Sequence, residues 1–400
     1  MRSALLVVGG TALVALAAIS WQASGQSAAV AVGQPMRGIT PHEFERFRLG
    51  LEDFLEVETS EEGLGPAYNG TSCGVCHSIP AVGGSGLTTE VRFGVRDAAG
   101  VFGPPLLPDG TPGDTLFQVF SIPDHACQPV PPADAKVVAR RIPIPLFGAG
   151  LVEAIPDAEI AAWADPDDLD ADGISGRAAL VQDLVTGELR VGRFGWKAQL
   201  ATLPDFAGDA YRNEMGITNE IFPQELAFGI PPEKMALCDP IPDPEDVTDP
   251  VTGLSGVDNF TAFMQFLAPP SRDASSGAEQ RGEDVFRSIG CSACHVPTLR
   301  TGPSNNPLFD RQPVPLFSDL LLHDIGTGDG IGQADAAPSE IRTPALWGLR
   351  FRRILLHDGS AGSTGEAIQR HGVEAAAARK AYRRLDKSSR QALQEFLRSL

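Results

Sequence analysis

The chain has 400 residues and a formal net charge of −19 at pH 7, which argues against binding to nucleic acid or to anionic membrane surfaces. Its length predicts two to three domains. Apolar content is ordinary, while 43 Gly, 33 Pro and only 3 Tyr point to a loop-rich protein wrapped around a cofactor that supplies part of the core.

In chain order, the first feature is an apolar run from Ala4 to Ile19, preceded by Arg2 and followed by Ala23, Ser24 and Gly25. This predicts a secretory signal over residues 1–25; an uncleaved membrane anchor is the alternative. No later segment is long and apolar enough to span a bilayer, so the expected product is exported, to a bacterial periplasm or beyond.

Thr40 and Pro41 are suited to a helix N-cap and first turn. Phe44, Phe47, Leu51, Phe54 and Leu55 then recur at helical spacing. The run Cys73-Gly74-Val75-Cys76-His77 follows. CxxCH is the attachment pattern of a c-type haem: two thiols add to the vinyl groups and the histidine binds iron. Zinc would need a second ligand pair beside the run, and none is present. Covalent haem is attached outside the cytoplasm, as the leader also predicts.

Residues 80–150 read as short strands between Gly and Pro turns. Asp168, Asp170 and Asp172 stand at alternate positions before Gly173, the first half of a calcium loop. Ala179 takes the place of the closing Glu, so a solvated acidic turn is the competing reading. Residues 152–162 and 256–268 look helical, the latter stopping at Pro269-Pro270. Cys127 and Cys238 remain outside the CxxCH runs. An oxidising compartment favours a bridge between them, against two free buried thiols.

APPSRDASSG near residue 270 has the composition of a linker. An amphipathic helix over 277–289 then ends at Gly290, before the second run, Cys291-Ser292-Ala293-Cys294-His295. A last helix from about Lys387 to Leu400 presents Leu393, Phe396 and Leu397 on one face. Helix, CxxCH, loops and terminal helix form the layout of a class I cytochrome c domain. The expected fold is mainly α, with two such haem domains, 36–270 and 271–400, the first enlarged by a loop-rich insertion with short β-strands. Iron on His295 can take a sixth ligand from His323, His357 or His371; no Met follows Met264. For iron on His77 the next histidine in sequence is His125.

Three segments of the last third, IRTPALWGL at 341–349, ILLHDGS at 354–360 and EAIQRHG at 366–372, resemble the bacterial di-haem cytochrome c peroxidase superfamily. RGEDVFRSIGCSACHVPTLRTG and FSDLLLHDIG narrow the likeness to the "di-haem oxidoreductase, putative peroxidase" family, also called thiol oxidoreductase-like. The resemblance covers roughly residues 40–400. It implies two covalently bound haems c, and Arg342 and His357 as cofactor contacts. It also implies His371 as the sixth ligand where the peroxidases carry Met, with His357 the rival. RFGWKAQLATLPDFAGDAYRNEMGI at 193–217 is similar to the peroxidase stretch whose Gln and Glu line the open face of the first haem. Glu214 falls on that Glu, as the group that would move protons in O–O cleavage; the bland alternative is a surface carboxylate. Phe206 stands near the place of the Gln. Trp196 matches a Trp between the haems, as a relay or as a buried core aromatic.

The activity implied is that of a peroxidase-type oxidoreductase. A small donor, a cytochrome c or cupredoxin, gives electrons through the C-terminal haem to an open N-terminal haem, where peroxide is reduced. Relatives that oxidise a partner protein or use dioxygen supply a second reading, and a non-catalytic electron carrier a third.

Overall fold

The computed structural model describes residues 30–106, 110–122, 127–226, 229–230, 232–239, 241, 244–272 and 277–400. The expected leader and His125 lie outside the described residues. The molecule is helix-rich, with small antiparallel sheets. Among the described residues, no helix is long and apolar enough to cross a membrane.

Two helix pairs organise it. The helix Pro41–Leu55 starts from a capping box: Thr40 Oγ1 accepts from Glu43 N and the Glu43 carboxylate accepts from Thr40 N. It packs against the helix Gly256–Phe266, which Ser255 and Asp258 cap in the same way. The contact face is Phe47, Gly50 and Phe54, with the Phe54 and Phe263 rings tilted at 34° and centroids 4.6 Å apart. Phe44 and Leu55, expected on that face, are exposed. The helices cross at Gly50, where a Cβ would lie 2.0 Å from the Asn259 carbonyl oxygen. The second pair repeats the arrangement. The helix Gly277–Ser288 packs on Lys387–Ser399 through Phe286 and Phe396, 5.2 Å apart, and a Cβ at Gly282 would lie 2.1 Å from Ala392 O.

Glu90–Arg96 is flanked antiparallel by Phe102–Gly103, Leu116–Phe117 and Val137–Arg141. The single helix expected over 152–162 is two short ones, Ala149–Glu153 and Asp157–Ala161. Pro156 causes the break, because the residue before a proline is driven out of the helical region. The buried Arg193 guanidinium bridges the interruption, donating to the Glu153 and Ile155 carbonyls and pairing with Asp157. Cys127 and Cys238 form a disulfide spanning 111 residues.

The largest apolar core does not stop at residue 270. It joins Phe47, Phe54, Phe194, Leu203 and Phe263 to Val296, Leu299, Phe309 and Leu321. A smaller core around Phe286, Phe317, Tyr382 and Phe396 lies under the second helix pair.

Candidate functional site

Cys291, Cys294 and His295 open onto a cavity of about 540 Å³, in the size range of cofactor pockets. Phe286, Ile289, Leu349, Leu393 and Leu397 give it apolar walls. His295 Nδ1 donates to Phe317 O at 3.1 Å and His371 Nδ1 to Ala367 O at 2.8 Å. Each ring is thereby fixed as the tautomer whose Nε2 is free to bind a metal. Burial lowers both pKa values, that of His295 to about 4, so both rings are neutral at pH 7. His371 caps the helix Thr364–Arg370.

The rivals are placed differently. His323 spends both ring nitrogens on carboxylates, Nδ1 on Glu374 at 2.7 Å and Nε2 on Asp319 at 2.9 Å. That leaves it no atom for iron. His357 lines the cavity edge-on to Trp196, ring centroids 6.2 Å apart. Trp196 is 5 % exposed and its indole N–H donates to Ile142 O at 2.8 Å, so it is a fixed wall of this cavity. Arg342 also lines the cavity and donates to Gly195 O.

At the first run, His77 Nδ1 donates to Gly84 O at 2.8 Å, and burial lowers the ring pKa to about 4. Phe54 meets the imidazole edge-on at 6.2 Å. Of the six described histidines, His295, His323, His357 and His371 line the second cavity and His42 is exposed, leaving His77 alone here. Met215 and Met264 are packed in the main core.

Glu214 sits in a π-helical turn, Tyr211–Met215, a rare local form often found at functional sites. Its backbone carbonyl accepts from Asn69 N and Gly70 N, and Gln118 Nε2 donates to the carbonyls of Arg212 and Asn213. Burial and the charge of Glu90 raise the carboxyl pKa to about 8, against partial relief from Asn69 and Arg92. The backbone bonds from Asn69 and Gly70 tie its turn to the segment just before the first CxxCH, and its charge raises both Cys73 and Cys76. Glu58 and Glu245, pushed up to about 8 and about 7 by burial, flank Cys73 as well. Neither was signalled by a motif.

Burial raises all four CxxCH thiols, Cys76 to about 11 and Cys291 to about 12. A disulfide-exchange or metal-binding CxxC needs the opposite shift.

The acidic turn is corrected in one member. Carboxylate oxygens of Asp165, Asp168 and Asp170 cluster, whereas Asp172 accepts from Ile174 N instead. Alternate spacing predicted Asp172; Asp165, outside that pattern, completes the cluster with Asp168 and Asp170 instead. Phe206 stacks on Phe194 at 5.6 Å in a smaller cavity that shares Arg342, Trp347 and Arg352 with the large one. Sequence reasoning missed Trp347 and Arg352.

Arg352 tests whether haem suits the large cavity. Its Nε is buried without a hydrogen-bond partner, and burial alone lowers the guanidinium to about 10. Arg342 is lowered to about 10 as well, with Asp319 the one charge opposing the burial. Two poorly compensated cations beside an apolar slot with two free imidazole nitrogens fit a flat apolar macrocycle carrying carboxylates.

A family model described as "Di-haem oxidoreductase, putative peroxidase" matches residues 132–400. No curated protein matches the chain. Among solved structures, the chain is similar to Kuenenia stuttgartiensis hydrazine synthase at 14% identity and TM-score 0.40, covering 98% of this chain and 100% of that one. It is similar to the diheme peroxidase BthA from Burkholderia thailandensis at 16% identity and TM-score 0.40, over 92% and 87% of the two chains. A MauG-like protein associated with microbial copper homeostasis gives 17% and 0.32, over 70% and 95%.

Proposed function

The chain belongs to the di-haem oxidoreductase, putative peroxidase family, and on that premise we propose that it is an exported, periplasmic peroxidase-type enzyme with two covalently bound haems c. Residues 1–25 form the leader, and 36–270 and 271–400 form two cytochrome c-like units, the first enlarged by its strand-bearing insertion. Cys73, Cys76 and His77 would hold one haem; Cys291, Cys294, His295 and His371 would hold the other, with Arg342 and Arg352 available to its carboxylates. Electrons enter the C-terminal half from a small donor protein, a cytochrome c or cupredoxin, and peroxide is reduced in the N-terminal half.

The observation that carries this reading is asymmetry. Two anchored imidazoles line one cavity, while the first site offers His77 and a half-buried carboxyl, Glu214, whose pKa is raised. When bound, haem supplies redox equivalents at both places and a coordination position for oxidant at the open one. Glu214 moves the proton: its ionised carboxylate takes one from the near oxygen of H2O2 and returns it to the far oxygen as the O–O bond breaks. Two electrons and two protons then yield two waters. Trp196, packed against His357, fixes the wall of the electron-entry cavity.

Spectroscopy and turnover test this together. Electron paramagnetic resonance of the oxidised holoprotein is expected to show one high-spin and one low-spin haem; two low-spin haems would leave a non-catalytic electron carrier. Because Glu214 is protonated below about pH 8, kcat/KM for peroxide is expected to rise with pH towards that value. Glu214→Gln should flatten the profile and lower the rate by roughly 10²–10⁴. A variant that matches wild type removes Glu214 from the chemistry.

A further inference from the structure

The turn that follows His371 is strained. Val373 is β-branched, 62% exposed, and has φ +42°, a conformation that side chains of this shape rarely adopt. Such strain persists only where the surroundings over-determine it. Here the next residue supplies the restraint. Glu374 Oε2 accepts from His323 Nδ1 at 2.7 Å and from Ser175 N at 3.1 Å, while Oε1 accepts from Asp324 N at 2.8 Å. The backbone adds Gly372 N to Ile325 O and Glu374 N to Asp324 O.

His323 is itself fixed from behind. Asp319, 1% exposed, holds its Nε2 at 2.9 Å. Gly176 presses on the ring: a Cβ there would lie 2.3 Å from His323 Cε1. One carboxylate thus ties two chain segments, Ser175 and His323-Asp324, to the turn that carries His371 out of its helix.

We propose that Asp319, His323 and Glu374 form a latch that holds the strained turn after His371 and so keeps His371 seated in the large cavity. His323 and Glu374 are positioning residues, acting through His371. The proposal rests on the reading that His371 is an iron ligand. Strain at Val373 and the latch oppose one another, so releasing the latch lets the turn relax and carries the imidazole away.

The test uses the holoprotein and reads the spin state of the C-terminal haem together with amide hydrogen exchange over residues 371–376. Glu374→Gln keeps the shape but loses the ion pair; Gly176→Ala displaces the His323 ring without altering any residue of the latch. Both are expected to convert at least about half of the low-spin signal to high spin and to speed exchange in the turn by about tenfold or more. Adding Val373→Gly to Glu374→Gln removes the strain and is expected to restore the low-spin signal, which a general loss of packing would not do. Wild-type spectra and exchange in both single variants overturn the latch. So does failure of the glycine rescue. His371→Ala separates the premise: an unchanged low-spin signal there means that His371 is not the ligand, and the latch falls with it.

Discussion

Arg352 shows how a single side chain reports what a cavity is built to receive. A buried guanidinium with an unsatisfied Nε is costly unless an anion completes it. Paired with a haem carboxylate, it would neutralise that negative charge near the metal, which favours the reduced state. Arg352→Met is therefore expected to lower the potential of the C-terminal haem, by an amount on the order of tens of millivolts. Redox titration followed by absorbance measures this, and an unchanged potential places Arg352 outside the cofactor's field. The CxxCH runs were legible because covalent chemistry fixes their spacing. Arg352 was not, since nothing local distinguishes it from an exposed arginine. His323 illustrates the same limit: its partners lie 4 and 51 residues away, and only folding shows that both nitrogens are taken. The choice of His371 over its rivals came from resemblance, and the carbonyl of Ala367 supplies the physical support.

At the scale of helices, periodicity found the long elements and missed what sets their distance. Capping residues marked the start of Pro41–Leu55, and Pro269 lay just beyond the end of Gly256–Phe266. The crossing glycines carry no periodic signal, although Gly50 and Gly282 each stand four residues before the phenylalanine that fills the crossing, Phe54 or Phe286. The π-helical turn at Glu214 has no sequence signature at all. Gly282→Ala weighs two opposed effects. Helix propensity alone favours Ala by roughly 0.5–1 kcal/mol. The new Cβ, however, would meet backbone, Ala392 O, at 2.1 Å, where no side-chain rotation relieves it. Overpacking of this kind costs about 1–3 kcal/mol, so net destabilisation is expected. Denaturant unfolding of the holoprotein measures it; a gain in stability means the pair can separate freely and the close approach is not required.

Across the whole molecule, linker composition near residue 270 suggested a boundary between two haem domains, and contacts tie the chain together across that point. The main apolar core draws on residues from both halves. So does a buried ionic junction. Lys197 Nζ lies 3.2 Å from Asp329 Oδ1 and donates to the carbonyls of Ala337, Pro338 and Glu340, while Arg141 Nε lies 2.7 Å from Asp329 Oδ2. All three side chains are essentially inaccessible, and burial lowers Lys197 to about 8. Composition could not reveal this, because Asp329 stands 188 residues from Arg141. Such a junction adds little net stability when intact, but removing one partner strands the others. Asp329→Asn leaves two buried cations facing each other and is expected to cost about 3–5 kcal/mol. Lys197 follows Trp196, and the junction's charges reach His357, so both walls of the large cavity should move with it. The variant is therefore expected to unfold earlier in denaturant and to shift the absorption of the C-terminal haem before unfolding begins. If stability drops while that haem's spectrum stays unchanged, the junction joins the halves without shaping the cavity.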